Sequence, residues 1–359
     1  MTTRLVAGLA MVLAATVVVR TRADQPAAPV PERLSGTGLY LPGTLTVDPR
    51  NRSFAPQYPL WTDGAHKARW IRLPDGARID ASDADAWIFP AGTRLWKEFA
   101  FGGRKVETRM LSRNADGSWT YASYVWNDAQ TDATLAPADG IDRVAEVAPG
   151  KWHGIPARDD CRACHENGVT PVLGFSALQL SPDRDPAAPH AEALQPGMLT
   201  VPTLIEGGLL DRPDPRLSAA PARIPGDPRT RAALGYLTAN CGHCHNEQSA
   251  ATTVRFPLKM PAYATPAQVD AIVQTLRART TRWDLPHAAP GTTSVISTAG
   301  SDFSALFARM RSRRPSSQMP PLGTVVPDRD ALALVSAWID DMARQEAAVT
   351  ASSGRPPAH

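Results

Sequence analysis

The chain has 359 residues, of which 43% are hydrophobic, and a formal net charge of +3. This length is enough for two or three domains of ordinary size. The weak positive charge argues against nucleic acid as the main partner, because phosphate binding needs a strongly basic surface. With 34 prolines and 25 glycines, much of the polypeptide is expected to be loop.

The first 23 residues are typical of a secretory signal peptide. Arg4 supplies a positive start, residues 5–19 form a mostly apolar run, and a plausible cleavage site ends at Ala23. The apolar run is shorter than the roughly 20 residues that span a membrane. If it were not cleaved, it would associate the protein with a membrane. Cleavage would remove three arginines and no acidic residue, which brings the formal charge of +3 to zero. The signal peptide predicts that the protein is periplasmic or otherwise exported.

The next part of the chain is predicted to be a linker followed by a β-rich domain. Residues 24–33 contain several prolines and are expected to be extended. Residues 34–148 consist of short apolar runs separated by turn residues, and within them residues 119–126 alternate along a strand. Turn signals about every 10 residues predict an antiparallel sandwich or barrel-like domain. We expect this domain to fold independently of the region after it.

Polar residues of this domain could form a second active site. The candidates are Asp63, His66, Glu98, Glu107 and Arg109. Their spacing matches no metal-binding motif. Glu107 and Arg109 lie two residues apart, which places them on one face of a strand where side chains pair with their neighbours. A structural role in the sheet is therefore favoured over a catalytic one.

Two Cys-x-x-Cys-His motifs contain all four cysteines of the chain. The motif residues are Cys161, Cys164 and His165, and then Cys241, Cys244 and His245. On a helical turn the residues at i, i+3 and i+4 share a face, so two thiols can bond to the vinyl groups of one porphyrin while the histidine reaches the iron. This spacing is typical of c-type haem attachment, and histidine is a common axial ligand. The motifs predict two covalently bound haems with His165 and His245 as iron ligands.

Zinc binding and dithiol redox chemistry are the alternatives for these cysteines. Four thiolates around one zinc ion would leave both motif histidines without a role. A thioredoxin-like site would instead use a single cysteine pair in a βαβ setting. Haem attachment explains the cysteines and the histidines together, and it is the favoured interpretation.

Residues 149–228 are predicted to form the first haem module, which would be mainly α-helical. Met198 lies in a loop ahead of a helix predicted within residues 201–210, and it is the candidate second axial ligand of the first haem. His190 is an alternative ligand, and an iron without a second protein ligand is another. A hydrophobic staple at the start of the helix would equally explain Met198.

Residues 229–346 are predicted to form a second mainly-α haem module, followed by a disordered tail of residues 347–359. Asp227 and Pro228 predict the start of a helix that runs to Asn240. Asp328 is a candidate N-cap for the last helix. The apolar stripe of that helix comprises Ala331, Leu334, Val335, Trp338, Ile339 and Met342.

Met319 is the candidate second axial ligand of the second haem. Pro320 and Pro321 follow it, so its loop is stiff and non-helical. Such a loop can hold a thioether sulfur at a fixed distance from an iron atom. The alternative is a methionine that fills the core of the loop.

Two resemblances follow from these motifs. The chain from Asn240 through the second motif, Met319-Pro320-Pro321-Leu322-Gly323 and Trp338-Ile339 resembles a class I cytochrome c module. That resemblance implies a small helical fold around a haem with His245 and Met319 as its axial pair. Residues 58–64, 89–93, 97–99 and 107–109, with both motifs, resemble a family of bacterial dihaem c-type cytochromes with a β-rich N-terminal domain. This second resemblance implies haem binding and electron transfer without an assigned substrate.

The sequence therefore predicts an exported cytochrome that passes single electrons between redox partners, such as a dehydrogenase and a terminal acceptor. A dihaem peroxidase-like enzyme with an open first haem is an alternative. Two points argue against this alternative. The 80 residues from Cys161 to Cys241 are few for two full peroxidase domains, and such enzymes are not expected to have a long β-rich region before the first motif. A third hypothesis makes the β-rich domain a substrate- or partner-binding module that the haems connect to an electron-transfer chain.

Overall fold

The computed structural model describes residues 29–249, 256–286 and 288–353. The predicted signal peptide and the first half of the predicted linker lie outside the described residues. The rest of that linker follows the sheet closely, because the backbone N–H of Leu135 donates to the carbonyl of Glu32 at 2.8 Å. No described helix is both long enough and apolar enough to span a membrane.

Six strands of the N-terminal region form one antiparallel sheet. They are β1 (Arg52–Ser53), β2 (His66–Arg72), β4 (Arg94–Phe101), β5 (Arg104–Arg113), β6 (Trp119–Trp126) and β7 (Ala133–Leu135). Their order in the sheet is β1-β2-β4-β5-β6-β7. The remaining strands pair in twos: β8 (Ile141–Ala148) with β9 (Lys151–Ile155), and β3 (Ile79–Asp80) with β10 (Leu210–Asp211). The strand predicted over residues 119–126 is confirmed.

The predicted sandwich or barrel is wrong, because among the described residues the six-stranded sheet faces no second sheet of similar size. The two-stranded pair β8–β9 contacts it through His153. One face of the sheet is covered by the segment that contains Leu34, Leu39 and Tyr40, which packs against Trp96 and Trp126. The other face packs against the second half of the chain through a separate hydrophobic cluster. Both faces are therefore buried by segments with little strand structure.

Seven α-helices lie in the described residues after the sheet. They are α1 (Arg158–His165), α2 (Val201–Glu206), α3 (Arg216–Ala219), α4 (Pro228–Asn240), α5 (Pro266–Ala278), α6 (Ala305–Arg311) and α7 (Arg329–Ser353). The predicted N-cap of α4 is confirmed, since the Asp227 carboxylate accepts the N–H of Arg229 at 2.9 Å and of Thr230 at 3.2 Å. Asp328 likewise accepts the N–H of Ala331 at 3.1 Å at the start of α7. The apolar stripe of α7 faces the core, where Val335 and Ile339 are fully buried.

The prediction of two mainly-α haem modules is also wrong. Between α1 and α4 the described chain is mostly loop, with only the six-residue α2 and the four-residue α3. Its apolar side chains do not form a core of their own. Phe175 packs edge-on against Phe54 and Trp87 of the N-terminal region, at ring-centroid distances of 4.9 and 5.8 Å. The tail predicted from residue 347 is helical as far as Ser353.

The expected independence of the β-rich region is contradicted by its contacts with the later chain. The side-chain amide of Gln179 accepts the backbone N–H of Tyr58 at 3.0 Å and donates to the Tyr58 carbonyl at 3.1 Å. The N–H of Trp61 donates to the Asn240 side chain at 2.6 Å, next to the second motif. The ring of Tyr58 lies so close to α4 that a Cβ on Gly235 would stand 2.1 Å from its Cε1 atom. Sheet and helices therefore share one core.

Gly235→Ala should test this close approach. A methyl group at 2.1 Å from a buried ring must displace Tyr58 or α4, and overpacking of a core costs about 1–3 kcal/mol. The cost should exceed the roughly 1 kcal/mol by which alanine favours a helix interior over glycine. Urea unfolding should therefore show a lower free energy of unfolding. Gly168→Ala is the control, because the added Cβ would meet its nearest atom at 3.9 Å. Equal stability of both variants and the parent would contradict the docking described here.

Candidate functional site

Both Cys-x-x-Cys-His motifs line one cavity of about 660 Å³. All six motif residues and Met319 lie in its wall. The volume is in the range of pockets that hold small molecules and cofactors. The six-stranded sheet forms one wall through residues such as Leu95, Leu111 and Tyr121, and α6 contributes Leu306 and Met310. The cavity is thus built from the whole described chain rather than from two separate modules.

The first motif occupies the second half of α1, and a backbone contact orients its histidine. The Nδ1–H of His165 donates to the carbonyl of Pro171 at 2.6 Å, so the Nε2 atom is left with a free lone pair. A second hydrogen bond of this kind is typical of histidines that bind metal ions through the other nitrogen. Burial lowers the pKa of His165 to about 4 against the opposing effect of the Pro171 carbonyl, which keeps the imidazole neutral at pH 7.

The second motif forms a turn directly after α4. The N–H groups of Cys244 and His245 both donate to the carbonyl of Cys241, at 3.0 and 2.8 Å, which brings the motif residues to one side of the turn. The His245 ring stacks on Phe256 at a centroid distance of 4.4 Å. Burial, with Arg309 and His243 nearby, lowers the pKa of His245 to about 4.

The two motifs touch each other through their second cysteines. The Cys244 thiol lies 3.9 Å from the Ala163 carbonyl, and the Asn246 amide donates to the Asn167 carbonyl at 3.0 Å. A hydrogen bond with Cys244, together with burial, raises the pKa of Cys164 to about 12. Groups bonded to the two motifs would therefore occupy neighbouring parts of one cavity.

The geometry does not favour one zinc ion shared by the motifs. In the described part of the chain, no three cysteine sulfurs and histidine nitrogens lie within 4.8 Å of one another. His190, Asp328 and Asp330 are the group that does meet this distance, and they lie away from the cavity.

Of the candidate second axial ligands, the structure brings only Met319 to the motifs. The backbone of Met319 is held to α6 by a 2.9 Å hydrogen bond to the Arg309 carbonyl. Met198 does not line the cavity, and its sulfur instead accepts the N–H of Gln195 at 3.4 Å. His190 does not line the cavity either, because it donates to Asp328 at 2.9 Å and stacks on the outer side of the wall residue Trp61.

A buried chain of charged groups runs from the loop after Met319 to the cavity wall. The Asp63 carboxylate accepts the N–H groups of Val325 and Val326 at 2.7 and 3.1 Å. Its other oxygen lies 3.0 Å from Nδ1 of His153, whose Nε2 lies 3.2 Å from Glu107. The Arg109 guanidinium then donates twice to the Glu107 carboxylate, at 3.0 and 2.5 Å, and lines the cavity.

Glu107 and Arg109 share one face of β5 as predicted, but they pair with each other and not with neighbours across the sheet. Asp63 joins the same chain, whereas His66 is exposed at the start of β2 and Glu98 pairs with Lys105 at 3.0 Å on the opposite face. His153 was not among the sequence candidates. Its position next to Trp152 on a short strand gave no sign that it would meet two distant carboxylates.

Two carboxylates favour the charged form of His153. Burial alone would lower the pKa of His153, but the hydrogen bonds to Asp63 and Glu107 outweigh it and raise the pKa above the usual 6.5. Burial likewise opposes the ionisation of Glu107, but Arg109 and His153 lower its pKa below 4.5. When His153 is protonated, the charges of His153, Glu107 and Arg109 therefore alternate in sign.

Comparison with protein-family models, with curated proteins and with solved structures finds no match for this chain. The family resemblances described from the sequence therefore stay predictions, and function has to be inferred from the site itself.

His153→Gln should weaken the fold in a pH-dependent way. A histidine whose pKa is raised on folding stabilises the protein fully below the unfolded pKa of 6.5, and this contribution is lost as pH rises through the folded value. The variant should be less stable by about 3 kcal/mol near pH 6, since breaking a buried charge pair costs roughly that much. The difference should shrink in more alkaline buffer, as measured by urea unfolding across the pH range. His66→Gln is the control and should match the parent. A pH-independent difference for His153→Gln would contradict a charged His153.

Proposed function

We propose that the protein is an exported c-type cytochrome that carries two covalently bound haems and transfers single electrons between redox partners. The observation that carries the proposal is the position of both Cys-x-x-Cys-His motifs at one cavity of cofactor size. When bound, each haem supplies an iron that takes up or gives up one electron.

The residues of the cavity fit such a group. Each motif offers two thiols and a histidine within one helical turn, which suits two thioether bonds and one iron ligand. The hydrogen bond from His165 to Pro171 leaves Nε2 available. The sheet and α6 line the cavity with apolar side chains, among them Leu95, Leu111 and Leu306. Such a lining excludes water, one of the means by which a protein sets the potential of a haem.

Each motif residue has a specific role in this proposal. Cys161, Cys164, Cys241 and Cys244 would form the thioether bonds. His165, through Nε2, and His245 would each hold one iron, and Met319 would be a further ligand of the second haem. Histidine–methionine ligation raises the reduction potential, which would suit a centre that passes electrons without binding a substrate.

The contact between the motifs supports a relay. Because Cys244 lies against Ala163 of the first motif, both attached groups would share the cavity without a protein layer between the motif turns. An electron received at one site would then reach the other over a short distance. The redox partners on either side would be an exported or membrane-bound dehydrogenase and a terminal acceptor.

The proposal is tested by producing the full chain in the periplasm of a host that carries out c-type haem maturation. Intact mass should exceed that of the mature polypeptide by two haem groups, and a pyridine haemochrome spectrum should show the c-type form. A variant with Cys161 and Cys164 changed to alanine should carry one haem, and so should the matching variant of Cys241 and Cys244. A purified protein that holds zinc and no haem would reject the proposal.

Met319→Ala should change one haem and leave the other as it was. Loss of the thioether ligand should produce a high-spin haem, or one with a replacement ligand, and lower its midpoint potential. Optical and EPR redox titration should show this, together with loss of the weak near-infrared sulfur-to-iron band.

Met198→Ala is the matched control for this experiment, because Met198 does not line the cavity. Both haems of the control should keep their spectra and potentials. An unchanged spectrum in Met319→Ala would remove Met319 from the site, and a changed spectrum in Met198→Ala would restore Met198 as a ligand.

One observation favours a second candidate function, a haem oxidoreductase of the dihaem peroxidase type. Neither Met198 nor His190 reaches the cavity, so the two residues predicted to complete the first haem are not beside His165. An open first iron would let a small molecule bind there. Hydrogen peroxide turnover with a reduced electron donor tests this: a rate no higher than that of free haem would end it, and saturable turnover would favour it over simple electron transfer.

A further inference from the structure

Three cationic side chains stand in a row across the sheet wall of the cavity. In the antiparallel register Arg69 lies opposite Lys97, and Lys97 lies opposite Arg109. All three line the cavity. Side chains in directly opposite positions have Cβ atoms only about 5 Å apart, and like charges there destabilise a sheet. Such a row needs negative charge nearby, and the sheet alone does not supply enough of it.

The outer two members of the row have carboxylate partners, and the central one has none in the part of the chain that the structure describes. Arg69 donates twice to Glu192, at 2.9 and 3.0 Å, and Arg109 donates to Glu107. The Lys97 ammonium lies over the ring of Phe99, with Nζ 4.9 Å from the ring centroid. Within the described residues, no carboxylate oxygen lies within 4.0 Å of Lys97 Nζ.

The cavity lining as a whole also has more cationic than anionic side chains. The residues that line it include four cations that are at least partly buried, Arg69, Lys97, Arg109 and Arg309, and the exposed Arg282. The one carboxylate in the described lining is Asp160, which is engaged by the backbone N–H of Ala157 at 3.1 Å. An occupant that carries negative groups would correct the imbalance, because a buried cation is stable only when it is paired.

We propose that Lys97, between Arg69 and Arg109, binds a carboxylate or a similar oxyanion inside the cavity. Two sources offer this chemistry. The first is a propionate group of a bound haem, in which case the inference rests on the proposed function. The second is a small free oxyanion that enters the cavity beside His165. Burial, with the neighbouring cations Arg69, Lys67 and Arg109, lowers the pKa of Lys97 well below its usual value in the absence of such a partner.

Lys97→Gln in the haem-loaded full chain tests the inference. Removing a positive charge beside a haem favours its oxidised state, so one midpoint potential should fall. The pH at which that potential changes through propionate ionisation should rise by about one unit or more, since an adjacent opposite charge shifts a carboxyl pKa by that amount. Lys97→Arg should restore both values.

Lys105→Gln is the matched control. Lys105 lies on the opposite face of the sheet, where it pairs with Glu98 at 3.0 Å, and it does not line the cavity. Its removal should leave the potentials and their pH dependence as in the parent. The haem content of every variant is measured first by the pyridine haemochrome, so that loss of haem is not mistaken for loss of anion binding.

Formate added to the parent distinguishes the two sources. No spectral response to formate, together with the shifted pH dependence in Lys97→Gln, assigns the row to a haem propionate. A saturable response that weakens about tenfold or more in Lys97→Gln assigns it to a free oxyanion, since a charged hydrogen bond contributes roughly 1.5–3 kcal/mol. If neither the shifted pH dependence nor a response to formate is observed, the inference is overturned.

If the parent protein carries no haem, the proposed function is rejected. Anion binding by Arg69, Lys97 and Arg109 is then tested by thermal unfolding of that protein in formate. Stabilisation by formate that is lost in Lys97→Gln would support the anion site, and no stabilisation would overturn it.

Discussion

The carboxylate of Asp63 ties together the three parts of the chain that surround the cavity. It belongs to the turn before β2, it accepts two N–H groups from the loop that follows Met319, and it binds His153 of β9. Asp63 holds a left-handed backbone conformation with φ of 49°, which is uncommon for a residue with a side chain and persists where the surroundings fix it. The buried Asp63 side chain therefore helps to fix the loop after Met319 against the sheet, together with the Trp61 Nε1–H, which donates to the Val326 carbonyl at 3.1 Å.

From Asp63 the same buried chain continues to the cation row. When His153 is protonated, the charges of His153, Glu107 and Arg109 alternate in sign, and Glu107 has a cation on either side. Replacing such a chain by apolar residues is often neutral or stabilising, whereas removing one member is costly. Its value lies more in fixing a single arrangement than in net stability. The arrangement that it fixes places Arg109 at the cavity and leaves Lys97 beside it without a carboxylate.

Features that depend on nearby residues were predictable from the sequence, and those that depend on register were not. The helix starts at Asp227 and Asp328, the strand over residues 119–126 and the motif turns follow from spacing of a few residues, and the structure has them. The cation row arises only when β2, β4 and β5 align, and His153 meets Asp63 across 90 residues. The loop between α1 and α4 was mistaken for a helical module because its apolar residues were assigned to a core of their own. Their partners, such as Phe54 and Trp87, lie in the N-terminal region.

The absence of separate modules also changes the role of the β-rich region. A sheet that merely carried a binding surface would leave the motifs enclosed by their own helices. Here Leu95, Lys97, Arg109 and Tyr121 form a wall of the cavity, and the described helices near the first motif are too short to enclose a porphyrin by themselves. The sheet therefore takes the place that helices would hold in a separate haem module. Under the proposed function it would set the polarity and charge around the first haem, and a partner would have to dock on surfaces other than this face of the sheet.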